Sequence, residues 1–160
     1  MALFEELLLV SLALTGALAG MSLDQSIKQL PARHRIGANA YSAYSRSSDL
    51  RRNGIGLYAF FGVGSAAACI GLALLAWRRP DLEASIRTAA AISGLLAIAH
   101  SLCTTVAAPT LFSQRRVAQP TDATVAWIFD KFALWQNLRC GLQVGNFTAL
   151  LVVTALAIRL

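Results

Sequence analysis

A single histidine, His100, stands inside residues 88–114, a run with no Lys, Arg, Asp or Glu. An imidazole titrates near neutrality, so it can take up or release a proton where most side chains cannot. Ser93, Ala97, His100 and Thr104 recur at spacings of four, three and four and share one helical face. A stronger polar series follows: Lys131, Trp135, Arg139, Gln143 and Asn146, at spacings of four, four, four and three. Milder series are Ser11, Thr15, Ser22, Gln25 or Ser26 and Gln29, and then Tyr58, Gly62, Ser65 and Cys69. Such residues either hydrogen-bond between packed helices and fix their register, or form a site. The choice depends on the solvent around them.

The elements that carry them are apolar throughout. The chain has 160 residues, of which 56% are hydrophobic and only 14% charged. Four spans lack Lys, Arg, Asp and Glu altogether: 7–23, 53–77, 88–114 and 140–158. A bilayer-crossing helix needs roughly 20 mostly apolar residues. The expectation is one all-α domain over 1–160, a polytopic membrane four-helix bundle with helices at 4–30, 53–77, 84–108 and 122–159. Polar groups facing lipid lack hydrogen-bond partners, so the polar series should turn inward and form a seam or cavity. An ionisable residue at that depth is by default a candidate site.

The punctuation is read from prolines. The first helix is expected to stop at Pro31 and the third at Pro109, with Trp77 and Pro80 ending the second. Thr121 and Asp122, after Pro120, make an N-cap for a long fourth helix. Between the first two helices, Ile36, Ala40, Tyr41 and Tyr44 can share one side of a short amphipathic interfacial segment, with tyrosines at the headgroup level. Gly16 and Gly20 form a GxxxG pair, and the second helix has a small-residue surface, which suits close helix packing or a homo-oligomer. Asn137 lies roughly 200° around the helix from Arg139 and is not expected to share its site.

Composition also excludes. The net charge of +6 sits in the loops, so it does not indicate nucleic acid. Lys28, Arg33, Arg35, Arg46, Arg51, Arg52, Arg115, Arg116, Lys131 and Arg139 fall on one side. Arg78, Arg79, Arg87 and Arg159 fall on the other. The excess places loops 1 and 3 in the cytoplasm, with a bacterial inner membrane as the expected setting. MALFEE is acidic where a signal peptide would begin with positive charge. Cys69, Cys103 and Cys140 form no CxxC pair and read as packing residues, and no metal site is expected. Asp24 is expected to pair with Arg139 or Lys28 or to be solvated. No intramembrane carboxylate and no broken-helix pair favours a transporter.

The run LDQSIKQLPARHRIG and the W-x-N-x-R of Trp135, Asn137 and Arg139, on four helices in about this length, resemble the anthrone oxygenase-like membrane proteins. The resemblance covers nearly the whole chain. It departs after the third helix, where Thr110 and Leu111 follow Pro109 in place of that family's Pro-x-Asn. The resemblance implies oxidation of an apolar aromatic substrate by O2, with no cofactor. His100 would then be the base and Arg139 or Gln143 would stabilise an enolate oxygen. Trp135 and Tyr58 would stack on the rings, and Thr104 and Asn146 would complete the binding pocket. The alternative is a non-enzymatic membrane scaffold or accessory subunit whose polar seam is packing glue.

Overall fold

The computed structural model describes residues 2–117 and 121–158. It is all-helical over those residues. Helix α1 (Ala2–Leu23) widens into a π-helical turn (Asp24–Gln29) and continues as α2 (Leu30–Ile36). A short helix α3 (Ala38–Ser47) precedes α4 (Arg52–Trp77), α5 (Ala84–Ser113) and α6 (Asp122–Ala157). A 3-10 turn, Gln114–Arg116, extends α5. Four helical stretches are long and apolar enough to cross a membrane: Ala2–Ile36, Arg52–Trp77, Ala84–Arg116 and Asp122–Ala157. Large apolar side chains such as Leu9, Phe60, Leu95, Leu102 and Leu134 are exposed on the outer surface. This fits a multi-pass membrane protein in contact with lipid.

The helices form an antiparallel ring in the order α1, α4, α5, α6, with α6 closing onto α1. At the end formed by the start of α1 and the end of α6, the core is apolar and closed. Phe4, Leu8, Leu72, Ala76, Leu82, Ile86, Leu150 and Val153 pack together there. Gly94 lets α4 and α5 touch, since a Cβ at that position would stand 2.9 Å from the Cβ of Ala73. Across the middle, hydrogen bonds join all four helices. The Thr15 hydroxyl lies 3.4 Å from Cys69 Sγ. The Asn146 amide donates to the same sulfur at 3.6 Å and accepts from the Ser93 hydroxyl at 2.6 Å.

Both proline stops are displaced. Helix α5 runs through Pro109 to Ser113. Proline removes one backbone donor and its ring presses on the preceding turn, but a helix inside a bundle tolerates this. Beside it the hydroxyls of Thr105 and Thr110 donate back to the carbonyls of Leu102 and Val106. Pro31 likewise does not end the first helix. The π-helical turn immediately before it widens the backbone, and Pro31 then occupies the first turn of α2, where its missing donor costs little. The break comes at Gly37, whose φ of 89° lies in the left-handed region that suits glycine. The expected N-cap of the last helix is present: Thr121 accepts from the Thr124 backbone N–H at 3.3 Å. Pro120 and Arg159 lie outside the described residues.

The amphipathic segment after the first span is α3, and it docks on protein. Tyr41, expected at the headgroup level, is buried edge-on against Phe129 of α6, with ring centroids 4.8 Å apart. Tyr44, Ala40 and Ile36 remain exposed. The polar side of α3 binds the end of α5. Ser42 donates to the fully buried Gln114 at 2.8 Å, Gln114 donates to Ser45 at 3.3 Å, and Arg46 donates to the Gln114 carbonyl. Arg33 of α2 pairs with Asp130 of α6 at 2.7 Å. Burial pushes the Tyr41 hydroxyl above its ordinary range. Asp24 pairs with Lys28, not with Arg139.

Candidate functional site

Helix α4 buries no residue between Arg52 and Gly64, whereas Ser65, Ala68, Cys69, Leu72 and Ala76 are all buried. Its first half therefore stands away from the bundle. A cavity of about 510 Å³ fills the space. Ile55, Tyr58, Ala59, Gly62, Val63 and Ala66 line it from α4, and His100, Ser101, Thr104, Ala108, Leu111 and Phe112 from α5. Gln25 contributes from the π-helical turn, Asp49 and Leu50 from the turn before α4, and Phe132 and Arg139 from α6. Ala59 and Val63 are exposed, so the rim lies on the outer face of the bundle. The walls are mostly apolar, with a few convergent polar groups, as in small-molecule sites generally.

His100 sits in the wall, buried to 5% exposure. The Arg139 Nε–H donates to its Nε2 at 3.4 Å, and the Gln143 amide nitrogen lies 2.5 Å from the same atom. A guanidinium can only donate, so Nε2 is the acceptor in the contact with Arg139. The Thr104 hydroxyl donates to the His100 carbonyl at 2.9 Å and lies 3.5 Å from Nε2. Gln143 Oε1 is buried without a partner. Arg139 makes no ion pair among the described residues. The cavity wall thus carries an imidazole beside a guanidinium, with the Gln143 amide touching the imidazole from outside the lining.

Of the residues expected to form the site, His100, Arg139, Thr104 and Tyr58 line the cavity, and Gln143 touches His100 from outside the lining. Asn146 lies outside the cavity lining, its amide engaged by Ser93 and Cys69. Trp135 is also outside it and packs against the cluster of Leu30, Tyr41, Val125, Phe129 and Phe132. Asn137 is exposed on the outer surface of α6. Lys131 is exposed and approaches the Trp127 ring at 5.4 Å.

Several polar residues escaped the sequence reading, among them Ser101 in the cavity wall and the fully buried Gln114. Gln136 of α6 is fully buried with neither amide atom partnered. The signal was available: 125, 129, 132, 136, 140 and 143 keep the true helical period, whereas repeated spacings of four drift by about 40° each. Asp49 lines the cavity and is 9% exposed, with Oδ2 unpartnered. Burial raises its carboxyl above the ordinary value of 3.8. Nothing in its polar surroundings, Ser47, Ser48 and Arg51, marks it as buried. Among the described residues no group of His, Cys, Asp and Glu side chains is arranged to hold a metal ion.

No family model, curated protein or solved structure matches this chain.

Proposed function

We propose that this protein is a membrane enzyme that binds an apolar aromatic substrate in the α4–α5 cavity and oxidises it with O2. The observation that carries the reading is the placement of His100 beside an unpaired Arg139 on the wall of a largely apolar cavity. An unpaired guanidinium at membrane depth is costly unless a ligand or function uses it. The resemblance to anthrone oxygenases supplies the reaction class. A CH₂ between two aryl rings becomes a carbonyl, with one oxygen atom of O2 entering the product and the other leaving as water.

The chain's own contribution is proton transfer and charge stabilisation. His100 Nε2 takes an acidic proton from the substrate. Arg139, whose guanidinium lines the cavity beside His100, holds the resulting oxyanion. Tyr58 of α4 and Phe112 of α5 supply aromatic surface for the rings. Both O2 and a polycyclic substrate partition into a bilayer, and the rim faces outward. The excess of basic residues in loops 1 and 3 supports a cytoplasmic α3 end.

A second reading, a membrane scaffold, draws on the Thr15–Cys69–Asn146–Ser93 chain, which is packing glue. Oxygen uptake by purified protein given an anthrone decides between them. The enzyme reading expects uptake with quinone formation, reduced about 10²–10⁴-fold in His100→Ala, the usual worth of a general base. Equal rates in both proteins remove His100 from the chemistry. No uptake in either favours the scaffold.

A further inference from the structure

We infer that Gln25 is a second hydrogen-bonding contact for the ligand, set apart from His100 and Arg139, so that the site takes a flat aromatic molecule with polar oxygens on two opposite edges. The inference rests on the reading that the α4–α5 cavity binds an aromatic molecule, and it names what that molecule carries. Gln25 lines the cavity and is 4% exposed, and its side-chain amide has no hydrogen-bond partner among the described residues. A buried amide without a partner is costly at membrane depth, and a ligand group that bonds to it recovers that cost.

The local fold puts this amide in the wall. Ser11, Thr15, Leu18, Ser22 and Gln25 are buried at spacings of four, three, four and three, so Gln25 carries the inward face of α1 into the π-helical turn. Single π-helical turns recur at functional sites. The other polar side chains of this turn are spent or outside the lining. Asp24 is bonded by Lys28 and Gln29, and Ser26 does not line the cavity. Elsewhere in the wall, the Ser101 and Thr104 hydroxyls donate to carbonyls of their own helix, and the unpartnered Oδ2 of Asp49 has no exposed surface.

Helix geometry sets the separation from the first contact. Thr15, Cys69, Ser93 and Asn146 form one layer across all four spans. From that layer toward α3, His100 and Arg139 are each seven residues on, Gln25 is ten and Tyr58 is eleven. At 1.5 Å per residue, Gln25 and Tyr58 therefore stand roughly 5 Å further along the bundle. Two oxygens on opposite edges of one six-membered ring have a comparable separation. The Tyr58 hydroxyl, on the same level, also has no hydrogen-bond partner among the described residues. A primary amide donates from its nitrogen and accepts at its oxygen, so Gln25 can hold a carbonyl or a hydroxyl. A ring with one polar group satisfies Arg139 and leaves Gln25 orphaned.

Two probes test this: anthraquinone, with carbonyl oxygens on both edges of its central ring, and 9-fluorenone, a tricyclic ketone with one. Each is titrated into the full chain in lipid nanodiscs, for the parent, Gln25→Leu and Gln29→Leu. Gln25→Leu should weaken anthraquinone binding about tenfold, the scale of leaving one buried polar group unpaired. Fluorenone, whose one oxygen keeps Arg139, should bind that variant as it binds the parent. Gln29→Leu, in the same turn but outside the lining, should bind both probes like the parent. Bound anthraquinone should show two infrared carbonyl bands, of which Gln25→Leu shifts one toward the unbonded frequency. Equal anthraquinone affinity in the parent and Gln25→Leu overturns the inference and leaves an aromatic site standing. Equal weakening of both probes by Gln25→Leu also overturns it, because the amide would then serve only the shape of the cavity. Saturable binding of neither probe to the parent overturns the aromatic site, and the inference with it.

Discussion

The two halves of the bundle are built from the same four helices and differ in nearly every other respect. On one side of the Thr15–Cys69–Asn146–Ser93 chain, Phe4 and small and aliphatic residues close the interior. On the other side α4 leans out, and the interior is a cavity with polar corners. Between membrane helices packing, not water exclusion, drives association, so stability should follow the density of contact. The closed half holds the ring together. The open half can then keep an unpaired Arg139 and a fully buried, unpartnered Gln136. The α3 helix, clamped through Gln114 and Phe129, keeps the far end of the open half from fraying.

The comparison can be broken in three places. The largest stability effect should come from Leu72→Ala in the closed half, where the side chain is fully buried. A loss of about 2–5 kcal/mol is expected for such a cavity, measured as reversible unfolding in mixed micelles. A comparable truncation at the rim, Val63→Ala, two carbons in place of three, should change stability little, because Val63 is exposed. Equal losses at both positions would mean that the two halves are not distinct.

A smaller effect is expected at the boundary. Ser93→Ala removes one interhelical hydrogen bond, worth about 0.6 kcal/mol on average between membrane helices. It also leaves Asn146 Oδ1 unpaired, so the loss should fall toward the upper end, about 1–2 kcal/mol. Substrate turnover should survive, because Asn146 is outside the cavity. A turnover loss exceeding the stability loss would return Asn146 to the site.

The third and smallest effect concerns Asp49. Burial raises its folded-state pKa above 3.8, so its neutral form is the one the fold prefers. Stability from that preference is present at low pH and is lost as pH rises through the raised pKa. Asp49→Asn should therefore be slightly more stable than the parent at neutral pH, and the advantage should vanish as pH falls below about 4. An unfolding midpoint series from pH 3 to 8 checks the sign. An Asn variant less stable at pH 7 would show that the carboxylate is stabilised by a partner.

Much of the closed half was legible in the sequence, because four charge-free runs define four spans and inward polar residues follow from the cost of exposing them to lipid. The Thr121 cap was legible for a local reason. The helix ends at Pro31 and Pro109 were misread, since a proline stops an isolated helix but not one whose neighbours and π-helical turn absorb it. His100, Arg139, Thr104 and Tyr58, singled out by type and spacing, line one cavity, whereas Gln143 touches His100 from outside it. Trp135 and Asn146 fell on the same drifting series, and over the twelve residues from Lys131 to Gln143 a spacing of four departs from the helix by about 120°. The cavity itself depends on how far α4 leans, which no local pattern encodes.

The most direct test of the central claim asks whether the open half holds a ligand. Gly62 lines the cavity, and a Cβ there would meet nothing within 4 Å, so a side chain can start from this position without a clash and Gly62→Trp places an indole at the cavity wall. Titration of anthraquinone, the product of the proposed reaction, into nanodiscs should show saturable single-site binding to the parent chain. That binding should be lost in Gly62→Trp at an unchanged unfolding midpoint. Identical titrations for the two proteins, or no saturable binding to either, would contradict the account.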